Sequence, residues 1–243
     1  MTDEQPPTTV LERLDELLDT YPNLAERIYR QLLIALHTRG VVSIDGIQDE
    51  ALRKAGVPAP PQTADPNRAE RDRWDERVRA TVEQITRDYL ADHFEVREIE
   101  DLVNLTIKRE EVHSLEDVAN SSNVSFRQLR DHIRRFCELP LGETQLAPAE
   151  VIGTRVALIR HFVSDQLEFI GIAKNYLRIR DFDDLASRIV GSDSGMGRIG
   201  GKAGGMVLAH RILESTKTAD DDFLPVAIPE SYYLRSDVVE DFL

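Results

Sequence analysis

Apolar residues recur at three- and four-residue spacing through most of this chain, and that pattern predicts helices. Val10, Leu11, Leu14, Leu17 and Leu18 mark the first of them, behind a polar stretch, residues 1–9, that reads as a disordered tail. Pro22 suits the first turn of a second helix, which carries Leu24, Ile28, Leu32 and Leu36 to about His37. Gly40 is placed to stop it, and a short helix from about Ile47 to Ala55 follows.

Four prolines within residues 57–67 cannot continue a helix, so this stretch reads as a linker or long surface loop. Beyond it, a charged helix from Arg68 to about His93 has one apolar stripe: Trp74, Val78, Val82, Ile85 and Leu90. Further helices are expected over 98–107, 114–121 and 125–138. A single long one runs from Pro148 to about Tyr176, and an acid-capped one from Asp181 to Val190. Residues 10–190 therefore read as a mainly helical region. The texture changes at Gly191, where an α/β domain is expected to begin and run to Leu243.

Composition narrows the class. The chain has 243 residues, 41% hydrophobic and 30% charged, which suits a globular protein with a sizeable core. Its N-terminus lacks the basic and apolar regions of a signal peptide, and no apolar run approaches the length of a membrane helix, so a cytoplasmic protein is expected. The single cysteine, Cys137, excludes an internal disulfide and a cysteine-built zinc site. A net charge of −14 repels nucleic acid and anionic membranes at long range, so any anion site must come from local geometry.

Such a locality exists. Residues 191–205, GSDSGMGRIGGKAGG, hold seven of the thirteen glycines. Glycine lets backbone N–H groups approach a ligand with no Cβ in the way, and a row of them can cradle phosphate. Lys202 opens a helix to about Ser215, whose N-terminus also favours anions, and Arg198 adds charge. The Walker A pattern fails here, because Met196 stands where glycine is needed and Ala203 follows the lysine. The dinucleotide pattern matches at Gly195, Gly197 and Gly200, but a helical segment precedes it instead of a strand.

A third comparison fits best. Gly200-Gly201-Lys202, a helix over Ala203–Leu213, a strand over Val226–Pro229 and the segment Tyr232–Phe242 occur in order. Together they resemble the start of the nucleotide-binding domain of the phosphoenolpyruvate synthase and pyruvate phosphate dikinase family. The resemblance covers about 50 residues of the 243. It implies an ATP-grasp fold, an ATP-dependent phosphotransferase, and contact of Gly200, Gly201 and Lys202 with ATP phosphates. It also implies Mg2+, with its acidic ligands beyond Leu243. The phosphohistidine and phosphoenolpyruvate/pyruvate-binding domains would lie beyond it too, as partners in the parent chain. No histidine here has the family's phosphohistidine setting, and no catalytic residue is assigned. Asp237 and Glu240 suit a capping box, yet the chain stops three residues after Glu240. A fragment of a longer protein, inactive alone, is therefore expected.

One other segment suggests a different class. In residues 113–136, Ser114 caps one helix, Asn120–Asn123 form a turn, and Ser125 caps a second helix bearing Arg127, Arg130, Arg134 and Arg135. This resembles the helix-turn-helix of AraC-type regulators, whose second helix enters the DNA major groove. Lys108 to Cys137 carries six basic and five acidic residues, too small an excess to favour DNA. Of the remaining candidates, Asp183-Asp184 suits a helix start and Asp220-Asp221-Asp222 a solvated loop. His210 and Cys137 suit packing or surface roles. Arg155, Arg160 and Lys174 are candidates to face the glycine segment.

Overall fold

The computed structural model describes residues 9–57, 76–140, 142–193, 198–216 and 229–240. Residues 1–8 of the expected tail, most of the 57–67 linker, Trp74, Gly195 and Gly197, Asp220–Asp222, most of the Val226–Pro229 strand and Phe242 lie outside the described residues, while Thr9 caps the first helix. Those described are mostly helical, with two short parallel strands. Contacts divide the chain into two compact units, Met1–Ile107 and Lys108–Leu243.

In the first unit, α1 (Val10–Thr20) starts at a capping box. Glu12 N–H donates to Thr9 Oγ1 at 3.2 Å, and Thr9 N–H donates to Glu12 Oε2 at 2.8 Å. A 3₁₀ turn, Pro22–Leu24, leads into α2 (Ala25–Thr38), and Gly40 with φ of 74° ends that helix. The next helix, α3 (Ile44–Ala55), begins three residues earlier than its apolar pattern suggests, because Ser43 accepts from Gly46 N–H at 3.0 Å. Opposite lies α4 (Glu76–His93), which packs on α1, α2 and α3. Its stripe Val78, Val82 and Ile85 joins Leu33, Ile47 and Ala51 in one buried cluster. At its edge, Arg87 forks onto Asp15 at 2.6 and 2.8 Å and also donates to Tyr29 Oη at 3.1 Å.

The division between units falls within α5 (Val96–Asn120). This helix replaces the two expected over 98–107 and 114–121. Residues 108–113, KREEVH, are compatible with helix throughout, so nothing stops it there, and Ser114 sits in mid-helix instead of capping. The second unit continues with α6 (Phe126–Glu138), a 3₁₀ turn (Gly142–Gln145), α7 (Pro148–Phe162), α8 (Leu167–Tyr176) and α9 (Ile179–Ser187). After β1 (Ile189–Val190) come α10 (Gly201–Thr216), β2 (Tyr233–Leu234) and α11 (Ser236–Glu240). The strands pair in parallel, Ile189 with Tyr233 and Val190 with Leu234.

Aromatic contacts centre this unit. Phe162 lies 5.8 Å from Phe126 and 5.7 Å from Phe182, centroid to centroid, which joins α6, α7 and α9. Glu143 fastens the polar side. It pairs with Arg155 and accepts from Ile179 N–H at 2.6 Å, so the start of α9 is tied to α7. The fully buried Lys108 donates to Gln145 Oε1 at 2.6 Å.

Three expectations are corrected here. The helix expected over Pro148–Tyr176 breaks at 163–166, where the N–H groups of Val163 and Ser164 both turn back to Ile159 O. Ser164, Asp165 and Gln166 can satisfy turn backbone from their own side chains, and Gln166 N–H does donate to Ser164 Oγ at 3.2 Å. The helix expected to start at Asp181 starts at Ile179. Asp181 is its third residue, accepting from Arg178 N–H at 2.8 Å, which leaves Asp183 and Asp184 in the interior and Val190 in a strand. Finally, α11 begins at Ser236, so Asp237 lies in its first turn instead of capping it and accepts from Val238 N–H at 3.1 Å.

The Arg87 guanidinium holds the Asp15 carboxyl below the usual aspartate range. A carboxyl depressed in the folded state contributes stability above its unfolded value of about 3.9, and that contribution is lost as pH falls through the folded value. Asp15→Asn is therefore expected to be less stable than the parent at pH 7, with the gap closing below about pH 4. Urea unfolding at a series of pH values checks this.

Candidate functional site

The turn from Arg198 to Lys202 is built by what surrounds it. Ile199 is buried and its N–H donates to Phe162 O, the last carbonyl of α7, at 3.0 Å. That carbonyl belongs to the set a helix end leaves without an intrahelical partner. The break after Phe162 thus supplies the acceptor that seats the turn. Gly200 follows at φ of 81°, a conformation that favours glycine, and its carbonyl accepts from Gly204 N–H at 3.0 Å to start α10.

The N–H groups of Gly201, Lys202 and Ala203 precede that first bond and point out of the helix N-terminus. A Cβ on Gly200 or Gly201 would meet nothing within 4 Å, and Lys202 is exposed. The three residues singled out in the sequence therefore stand together at an open, amide-presenting helix start, which is the local form an anion site takes.

The other glycines divide by role. A Cβ on Gly204 would fall 2.2 Å from Val163 Cγ1, so Gly204 is there to let α10 press on the break. At Gly191 a Cβ would fall 2.7 Å from Nε and Nη2 of Arg235. Gly205, like Gly201, has nothing within 4 Å of such an atom.

Electrostatics around the turn are mixed. Arg198 pairs with Asp165 at 3.0 Å, and this pair, mainly through its hydrogen bond, holds the Asp165 carboxyl below its ordinary range. The imidazole of His161 is pushed below the usual histidine range, first by burial and then by Arg198 and Arg235. Arg160 is exposed and its charge also acts on Asp165. By contrast, Arg155 pairs with Glu143 and donates to Lys174 O at 3.2 Å, so it is not placed at the glycine turn.

Four contributors escaped the sequence reading. Arg235 is 1% exposed, stands over the Phe126 ring at 4.8 Å, donates to Ser192 O and lies 3.4 Å from Asp237. Its neighbour Ser236 exchanges two bonds with Arg198: Ser236 N–H to Arg198 O at 3.0 Å, and Arg198 N–H to Ser236 Oγ at 3.3 Å. Asp165 and the packing role of Gly204 complete the set. An arginine just after the tyrosine pair in YYLRS was the available signal for Arg235, but its partner was not.

Between α9 and α10 lies a groove of about 450 Å³. Its polar wall is the hub Arg211, which pairs with Asp181 at 2.8 Å and Glu214 at 2.6 Å, beside His210 at 3.5 Å from Glu214. This groove does not include Lys202 in its lining. Among the described residues, no group of three or more His, Cys, Asp or Glu side chains is arranged to hold a metal ion. No described helix is long and apolar enough to cross a membrane.

Two outcomes test this description. Gly204→Ala is expected to destabilise the second unit by about 1–3 kcal/mol through overpacking against buried Val163, read as a lowered thermal midpoint. Burial pushes the Cys137 thiol up to about 11. It should therefore react with a maleimide at pH 7 far more slowly than free cysteine, and denaturation should restore the rate.

Comparison of the chain with protein-family models, with curated proteins and with solved structures finds no match to any of them.

Proposed function

We propose that the Gly200–Lys202 turn binds the phosphates of ATP and that the chain is the N-terminal part of an ATP-dependent phosphotransferase resembling phosphoenolpyruvate synthase and pyruvate phosphate dikinase. The observation that carries this reading is the open backbone at Gly200 and Gly201, at the head of a 16-residue helix with an exposed lysine in its first turn. In phosphoryl transfer the protein mainly positions groups and neutralises charge, and these are the two things such a turn supplies. Lys202 would offset phosphate charge, and the Gly201, Lys202 and Ala203 amides would donate to phosphate oxygens.

The parallel pairing of β1 with β2 on either side of α10 has the order strand, helix, strand, and it supports the start of an α/β domain within the same reading. Mg2+ belongs to the family's chemistry, but the described residues offer it no ligand cluster, and no step is assigned through it.

The DNA-binding alternative has less to stand on. In a helix-turn-helix the N-terminal residues of the second helix face the bases. Here Arg127 N–H, in the first turn of α6, donates to Asp193 O at 3.2 Å, and Arg130 lies 3.9 Å from Asp193. Two groups in the first turns of that helix, the Arg127 amide and the Arg130 guanidinium, are thus already engaged by Asp193 of the chain itself.

Calorimetric titration of the intact protein with ATP decides. Lys202→Ala is expected to weaken ATP binding by roughly 10–100-fold, as loss of a charge-assisted contact of about 1.5–3 kcal/mol requires. Adenosine, which lacks phosphate, should bind both forms equally. Equal ATP affinity of parent and variant removes the proposed role of the turn.

A further inference from the structure

The two described flanks of the glycine-rich segment are held from one place. On the upstream flank, Arg235 donates to Ser192 O, and its side chain lies so close to Gly191 that any Cβ there would strike it. On the downstream flank, Ser236 makes its two reciprocal backbone and side-chain bonds with Arg198, the residue before Ile199. Arg235 and Ser236 are adjacent in sequence, so one dipeptide grips both flanks. The grip is itself anchored. Arg235 stands on the Phe126 ring, and Asp237 lies 3.4 Å away. Phe126 is the first residue of α6, and the next residue, Arg127, donates its N–H to Asp193 O.

A buried guanidinium is a costly way to fill a core. A well-packed apolar side chain of similar volume stabilises as much or more, so the charge suggests a need for directed hydrogen bonds. A guanidinium is a planar fork of five N–H donors that can serve a carbonyl and a carboxylate while its face rests on an aromatic ring. The object gripped here is the entry and exit of the segment that leads to Gly200 and Lys202.

We propose that Arg235 and Ser236 are positioning residues: they hold the 191–193 and 198–199 flanks in register, so that the Gly200–Lys202 turn is presented to phosphate already shaped. The proposal rests on the phosphate-binding reading of that turn. Neither side chain touches ligand. Their effect acts through backbone that would otherwise have to be ordered when phosphate binds, at a cost in affinity.

The test uses the intact protein with Arg235→Met, Arg235→Lys and Ser236→Ala, each confirmed folded by circular dichroism. Amide hydrogen exchange over 191–204 and ATP affinity are measured well below the thermal midpoint. Arg235→Met is expected to raise exchange over 191–200 at least tenfold, with exchange in α7 little changed, and to weaken ATP binding about tenfold. Arg235→Lys should recover part of both, and Ser236→Ala should show a smaller effect centred on 198–200. If Arg235→Met does not fold, Ser236→Ala decides alone.

Unchanged exchange over 191–200 in the folded variants overturns the proposal. Faster exchange with unaltered ATP affinity overturns it too, provided Lys202→Ala weakens binding in the same assay. If instead Lys202→Ala and the parent bind ATP equally, the phosphate reading fails, and the presentation of that turn to phosphate fails with it.

Discussion

The chain reversal after Phe162 is the constraint on which the second unit turns. A helix that continued through 163–166 would bond the Phe162 carbonyl internally and leave Ile199 no acceptor. Because the helix stops, that carbonyl receives Ile199 N–H, Val163 receives the glycine face of α10, and Asp165 receives Arg198. Three independent contacts of different kinds thus converge on three residues, Phe162, Val163 and Asp165. Gly200 to Lys202 takes its place from them, although none of the three touches those residues directly.

Around that reversal, polar groups are used sparingly and in pairs. Glu143 joins Arg155 and the start of α9, Arg211 gathers Asp181 and Glu214, and Arg235 spans Ser192 and Asp237. Each of these three arginines has a carboxylate beside it, as burial in a low-dielectric interior demands. The open backbone at Gly200 and Gly201 contrasts with this. There the helix start presents backbone N–H groups that precede its first intrahelical bond.

Much of the helical framework was legible because its signals are local. Apolar spacing placed α1, α2, α4 and α6, and the glycine and lysine of the candidate turn were evident from composition alone. What escaped was set by partners distant in sequence. Ser114 carries the chemistry of a cap, but the helix formers before it win, and α5 runs through. The amphipathic pattern of 148–176 gave no sign that three polar residues would end one helix and start another on the same apolar face. Gly204 looked like part of a phosphate cradle, and its true neighbour, Val163, is forty-one residues away in the chain. Arg235 was hidden for the same reason: a buried arginine has no periodicity, only a set of acceptors that folding brings to it.

The parallel pairing of β1 with β2 carries a consequence for assembly. β1 leaves the ribosome well before β2, and everything between them, α10 included, must be synthesised before the ladder can close. Helices α6 to α9 can condense on their aromatic centre while the glycine segment still lacks its downstream tether. The nascent second unit therefore matures from its helices outward, and the strand that bears Arg235 at its exit arrives as the closing stitch.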